Sequence, residues 1–223
     1  MGNKLMLLTA FIGCLFLMAF RAPKKKKVLF FGDSITQMGV QKGGYIDVLN
    51  ARIKTAGIED QYELVGAGIG GNKIYDLFLR MEKDVLAQHP DVVVIWVGVN
   101  DVWHKASFGT GTDYDKFGIF YDAVVKKIQA TGAKVVVVTP AAIGEKTDYS
   151  NSQDGDLNQY STWIRNYAAE NQLGLVDLRK TFHEFSVANN PSNKESGILT
   201  YDRVHLNEKG NAHVADEMWK VIK

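Results

Sequence analysis

The run Val92–Val97 (VVVIWV) places six apolar residues in a row with no polar alternation. A strand with one wet face alternates apolar and polar side chains, so a continuous run marks a strand covered on both faces. Such strands belong to parallel sheets, whose neighbours are joined by crossover helices that blanket the sheet. Val135–Thr139, closed by Pro140, has the same character, and Val28–Phe31, Tyr62–Val65 and Leu175–Leu178 complete a set of five short runs. Helical spacing fills the intervals. Tyr45–Ala56 stops at Gly57, and Ile74–Gln88 aligns Ile74, Leu77, Phe78, Met81 and Val85 on one face. Tyr114–Ala130 precedes Gly132, Leu157–Gln172 precedes Gly174, Arg179–Ala188 follows the last strand, and Asn207–Ile222 begins on a capping Asn. Strands alternating with helices of this length predict βαβ units in a three-layer α/β/α sandwich with a five-stranded parallel sheet. Two polar segments, Trp103–Asp113 and Gly144–Asp156, are expected as loops at the carboxyl edge of the sheet, where such folds hold their ligands.

The first 26 residues stand apart. Leu5–Phe20 is sixteen residues without a charge, ahead of a basic run at Lys24 to Lys27. It reads as an export signal or a membrane anchor, leaving residues 27–223 as the folded domain and placing it in the periplasm, outside the cell or at a membrane. Residues 1–27 hold six basic side chains and no acidic one, so the rest of the chain carries twenty basic against twenty-five acidic, a net charge of −5. A mildly acidic body lacks the basic face that nucleic acid requires. The lysine run reads as a solvated flank. The single cysteine, Cys14, leaves the body without a disulfide or a thiolate.

Chemistry-bearing residues gather at the ends of the expected strands. The first strand leads into Gly32-Asp33-Ser34, which presents a serine to the crevice after a tight turn. Near the other end, Asp202-Arg203-Val204-His205 puts a carboxylate within reach of an imidazole, the pair a serine nucleophile needs for activation. Val92–Val97 leads into Gly98-Val99-Asn100-Asp101, where the Asn100 amide can donate to a developing oxyanion. The second strand leads into Gly66-Ala67-Gly68-Ile69-Gly70-Gly71, a G-x-G-x-x-G pattern. It follows the wrong strand for a dinucleotide site, and no acidic residue ends the next strand; it reads better as a glycine turn offering backbone N–H groups. His183-Glu184 lacks the second histidine of a metal site. Each signal alone has a bland reading as a cap or turn. Together they supply a nucleophile, a base, an acid and oxyanion donors along one sheet edge.

With these residues in hand, the sequence resembles the SGNH, or GDSL-type, serine ester hydrolase superfamily from Lys27 to the C-terminus. The matching blocks are Gly32-Asp33-Ser34-Ile35-Thr36, the Gly66-Ala67-Gly68 segment, Gly98-Val99-Asn100-Asp101 and Asp202-Arg203-Val204-His205. Gly66 departs from the pattern, because many relatives carry Asn there. The resemblance implies a flavodoxin-like SGNH fold and a two-step ester hydrolysis without metal or cofactor. Ser34 would be the nucleophile, His205 the base and Asp202 its orienting acid. The backbone N–H groups of Ser34 and Gly68 and the Asn100 side chain would form the oxyanion hole. Asp33, Trp103 and His104 are expected to line the substrate pocket.

The two polar loops offer only Trp103, Phe108 and Tyr149 as large apolar side chains, which favours a short acyl group, such as acetyl, on a glycan or another small polar ester. Lysophospholipid hydrolysis, acyl transfer on the same triad and a non-catalytic binding module are the competing readings. The oligomeric state is not readable from the sequence.

Overall fold

The computed structural model describes residues 24–223; the Leu5–Phe20 run lies outside them. Five strands, β1 (Lys26–Gly32), β2 (Tyr62–Gly68), β3 (Val92–Trp96), β4 (Lys134–Val138) and β5 (Gly174–Val176), form one sheet in the order β2-β1-β3-β4-β5. All four pairings are parallel. The expected three-layer α/β/α class is the one observed. Every residue of β3 is buried, as its uninterrupted apolar run requires.

The lysine run is more than a solvated flank. Lys26 and Lys27 are already in β1, opposite Tyr62 and Glu63. Lys24 pairs with Asp91 at 2.8 Å, and the Lys26 ammonium donates to the Ile222 carbonyl at 2.7 Å. Backbone pairing with β2 and these partners carry the strand back past the first apolar residue.

Among the described residues, eight helices accompany the sheet: α1 (Ser34–Gly39), α2 (Tyr45–Thr55), α3 (Ile74–Asp84), α4 (Val99–Phe108), α5 (Tyr114–Gln129), α6 (Asp154–Glu170), α7 (Leu178–Asn189) and α8 (Glu208–Ile222). The chain steps from β1 to β2 in one direction and from β2 through β5 in the other. Right-handed crossovers therefore send α2 to one face and α3, α5 and α6 to the opposite face. α8 returns to pack on α2. On the α5/α6 side, Phe117, Tyr121, Tyr160, Trp163 and Tyr167 interlock as edge-on, tilted and stacked rings. Asn207 caps α8 as expected, its side chain accepting from the Gly210 N–H at 2.9 Å.

Two expectations need correction. The segment from Trp103 is not a loop: residues through Phe108 continue α4, which stops at Gly109 in the left-handed region, φ 66°. Val99 to Val102 are buried, whereas Lys105 to Phe108 run out into solvent, so composition alone read as loop. The helix expected over Ile74–Gln88 breaks at Val85, and Leu86–Gln88 forms a separate 3-10 turn.

Direction reverses between β1 and β3, and their carboxyl ends flank the crevice where an open α/β sheet binds its ligand. Ser34 follows β1 and Asn100 follows β3.

Candidate active site

The turn out of β1 admits no side chain at Gly32. A Cβ there would sit 2.5 Å from both Thr36 Oγ1 and the Trp96 carbonyl. Asp33 then caps α1, its carboxylate accepting from the Ile35 N–H at 3.0 Å. Ser34 is thereby fixed at the first helical position, where its own N–H has no helical carbonyl to meet.

Asp202 and His205 arrive from the other end of the chain on an irregular loop before α8. Its ends are joined by the Thr200–Leu206 bridge and the Tyr201 N–H to His205 carbonyl bond of 2.9 Å. Arg203, between them, adopts φ 85°, a left-handed conformation that a non-glycine residue occupies at a cost. That reversal folds Asp202 back onto the imidazole. Asp202 Oδ2 lies 2.7 Å from His205 Nδ1, and Oδ1 accepts the backbone N–H groups of His205 at 2.7 Å and Val204 at 3.1 Å. Burial pushes the Asp202 carboxyl up, but the bonds from His205 and Val204 outweigh it and hold the group below the usual carboxylate range. An ionised carboxylate only accepts, so Nδ1 carries the proton and Nε2 of the neutral ring accepts. Ser34 Oγ lies 2.8 Å from that Nε2. The chain thus brings together, across 171 positions, the three residues expected from the sequence.

The oxyanion side is different from expectation at one position. Gly68 ends β2 in register with Gly32, and a Cβ on it would strike the backbone of Thr36 and Gln37 in α1. It is glycine for close packing under α1. The turn that reaches Ser34 is three residues further on. A Cβ on Gly70 would come 4.0 Å from Ser34 Cβ, and one on Gly71 would come 3.7 Å from His104 Cε1. Three N–H groups of this turn are taken: Ile69 by the Gly32 carbonyl, Gly70 by Gln37 Oε1, Asn72 by the Ile69 carbonyl. The Gly71 N–H has no acceptor among the described residues. Gly71 also needs its φ of 75°, so the glycine is conformational here. Asn100, buried at the start of α4, donates from Nδ2 to the Asn72 carbonyl at 3.1 Å, which sets its amide against the same turn.

Arg80 secures this edge. Its guanidinium donates to the carbonyls of Gly32 at 2.7 Å and Ala67 at 3.0 Å, to Asn72 Oδ1 at 2.6 Å and to Asp84 at 2.9 Å. It therefore ties the ends of β1 and β2 to the glycine turn. Asp101 accepts from the Ile74 N–H at 3.1 Å, anchoring the start of α3, just past the turn, to α4. Burial raises the Asp101 carboxyl to about 6. Sequence reasoning missed Arg80 and Gly71. Gly71 had a visible signal as the last glycine of the G-x-G-x-x-G run; Arg80 had none, because one arginine on a helix face looks solvated.

Of the expected pocket residues, Trp103 and His104 are at the site and Asp33 is not. Trp103 meets His205 edge-on at 6.2 Å between ring centres. His104 lies beside Gly71, with burial and then the Lys73 charge holding its ring below the usual histidine range. Asp33 is 2% exposed and turned onto the α1 N-terminus, beneath the site rather than in its wall. Tyr201, which the sequence reading passed over, stacks on the outer face of His205 at 5.9 Å with rings 18° apart.

An α/β sandwich with a strand-end serine hydrogen-bonded to a histidine defines the class, and the family follows. The chain belongs to the GDSL-like lipase/acylhydrolase family, whose model matches residues 30–213, and it is a carboxylic ester hydrolase. It is 28% identical over 208 residues to an acetylxylan esterase of Geobacillus stearothermophilus, covering 85% of this chain and 90% of that one. Its fold superposes on the crystal structure of the acetyl xylan esterase AlAXEase with a TM-score of 0.88, at 63% identity, over 88% of this chain and all of the other. A catalytic mutant of the Geobacillus stearothermophilus acetylxylan esterase gives a TM-score of 0.77 at 25% identity, over 88% and 94% of the two chains.

Proposed function

We propose that this chain removes acetyl groups from acetylated xylan or its oligosaccharides through an acetyl-Ser34 intermediate. The observation that carries the mechanism is the continuous relay from Ser34 Oγ to His205 Nε2 and from Nδ1 to Asp202. As Oγ attacks the acetyl carbonyl, His205 takes its proton, and Asp202 stabilises the imidazolium. The negative charge on the former carbonyl oxygen is met by the N–H groups of Ser34 and Gly71 and by the Asn100 amide; one such donor contributes about 2.7–4 kcal/mol to the transition state. His205 then returns the proton to the departing sugar hydroxyl. A water repeats the sequence against the acetyl-serine. The partly exposed Asp202 and His205 leave this step open to solvent, which favours hydrolysis over transfer to another alcohol.

The acetyl and xylan assignments rest on the likeness to the acetylxylan esterases. An exported or membrane-anchored enzyme, read from Leu5–Phe20, would meet such a polymer outside the cytoplasm. The test is hydrolysis of p-nitrophenyl esters from acetate to palmitate, alongside acetate release from acetylated xylo-oligosaccharides. The expected result is a rate that falls steeply beyond acetate, with release from the oligosaccharide. A preference for long chains sinks the substrate assignment.

A further inference from the structure

Among the described residues, Glu145 is the one acidic side chain outside the triad that binds the triad's own loop from within the core. It follows β4 in the segment that composition marks as a polar, ligand-facing loop, yet it is 3% exposed. Its carboxylate faces no cation within ion-pair distance among the described residues. It accepts three consecutive backbone N–H groups: Ile198 to Oε2 at 2.8 Å, and Leu199 and Thr200 to Oε1 at 2.6 and 2.8 Å. Those residues are the root of the loop that holds Asp202 and His205. The surrounding backbone is drawn in as well. The Gly144 N–H donates to the Arg203 carbonyl at 2.9 Å, between Asp202 and His205, and the Glu145 N–H donates to the Glu195 carbonyl at 3.0 Å. The Glu145 carbonyl in turn accepts from Asn190 Nδ2 at 2.8 Å.

We infer that Glu145 is a positioning residue for catalysis: its buried carboxylate gathers residues 198–200 and thereby sets the angle at which His205 meets Ser34. The inference rests on the triad reading above. Its physical basis is that the loop has no regular structure to define it. Between Gly197 and Asn207 it holds one antiparallel bridge and a left-handed Arg203, so its register depends on what its N–H groups bind. A carboxylate that accepts several backbone N–H groups gives short, strong bonds, and removing it leaves buried donors unmet. Displacing His205 by 1 Å is enough to cost about 10²-fold in a reaction that needs aligned groups.

The experiment compares Glu145→Gln and Glu145→Ala with the wild type, using p-nitrophenyl acetate kinetics well below the melting temperature and the low-field proton NMR signal of His205 Nδ1–H. Glu145→Gln keeps the volume and one acceptor oxygen but turns an NH2 toward an N–H. The expected result for this variant, with circular dichroism unchanged, is a kcat at least tenfold lower, a KM within about threefold of wild type, and a shifted or lost Nδ1–H signal. Glu145→Ala, where it folds, loses more. A folded Glu145→Gln with wild-type kcat and an unmoved signal overturns the inference, as does a loss of activity that only tracks the unfolded fraction. Either outcome differs from failure of the triad reading, which would appear as equal activity in wild type and Ser34→Ala.

Discussion

Replacing Asp33 by Asn should make the protein more stable at neutral and alkaline pH while leaving it unchanged in acid. Burial is the main cause that raises this carboxyl from 3.8 to about 7; the Asp101 charge adds to the rise, and the Ile35 N–H and the Arg80 guanidinium oppose it. In the unfolded chain the group ionises at its ordinary value. Between the two values the folded protein keeps a proton that the unfolded chain has released, so stability falls as pH rises. Above about 7 both states are ionised and the loss is complete. The interval from 3.8 to about 7 corresponds to about 4 kcal/mol, an upper bound because relaxation and water entry soften the burial penalty. Asn caps a helix about as well as Asp, so the bond to the Ile35 N–H survives Asp33→Asn. The assay is urea unfolding of both proteins at several values from about pH 4 to about pH 8, read as the difference between them, so that the other titrating groups cancel. The difference should be near zero at the acid end, grow by up to about 1.4 kcal/mol per pH unit, and level off above about 7. A difference independent of pH, or an Asp33→Asn protein less stable at the alkaline end, would refute the reasoning.

Three further outcomes are expected. Asp202→Asn should lower kcat about 10³–10⁴-fold with the fold intact, measured with p-nitrophenyl acetate, because the amide favours the wrong imidazole tautomer. Asn100→Ala should lower kcat about 10²–10³-fold and move KM little, since its amide acts on the transition-state oxygen. Gly68→Ala should cost at least about 1–3 kcal/mol in thermal unfolding, because its Cβ has no room against the α1 backbone.

The layer order and the triad were legible because both depend on local signals. Val92–Val97 cannot be a half-exposed strand, and Ser34, Asp202 and His205 sit in short blocks whose internal spacing survives folding. What the sequence hid was the non-local bracing. Glu145 stands in a stretch of polar residues and reads as solvent-facing; only the fold shows its carboxylate turned inward onto three N–H groups from more than fifty residues away. Arg80 likewise reads as a helix-surface charge until β1, β2 and the glycine turn are assembled around it. The Gly68 assignment failed for a related reason. Several glycines in one run look alike as sequence, and which one is needed for packing and which for a left-handed turn depends on α1 and His104, placed by distant parts of the chain. Asp33 was misplaced because a residue next to the nucleophile in sequence points the other way once it caps a helix.

The most direct test of the mechanism is acid quenching during turnover of p-nitrophenyl acetate, followed by peptide mass mapping of the acetyl group. The expected result is an acetyl adduct on Ser34 alone, absent from Ser34→Ala, whose turnover is at least about 10³-fold lower. An adduct on another residue that forms in step with turnover, or full activity in Ser34→Ala, would contradict it.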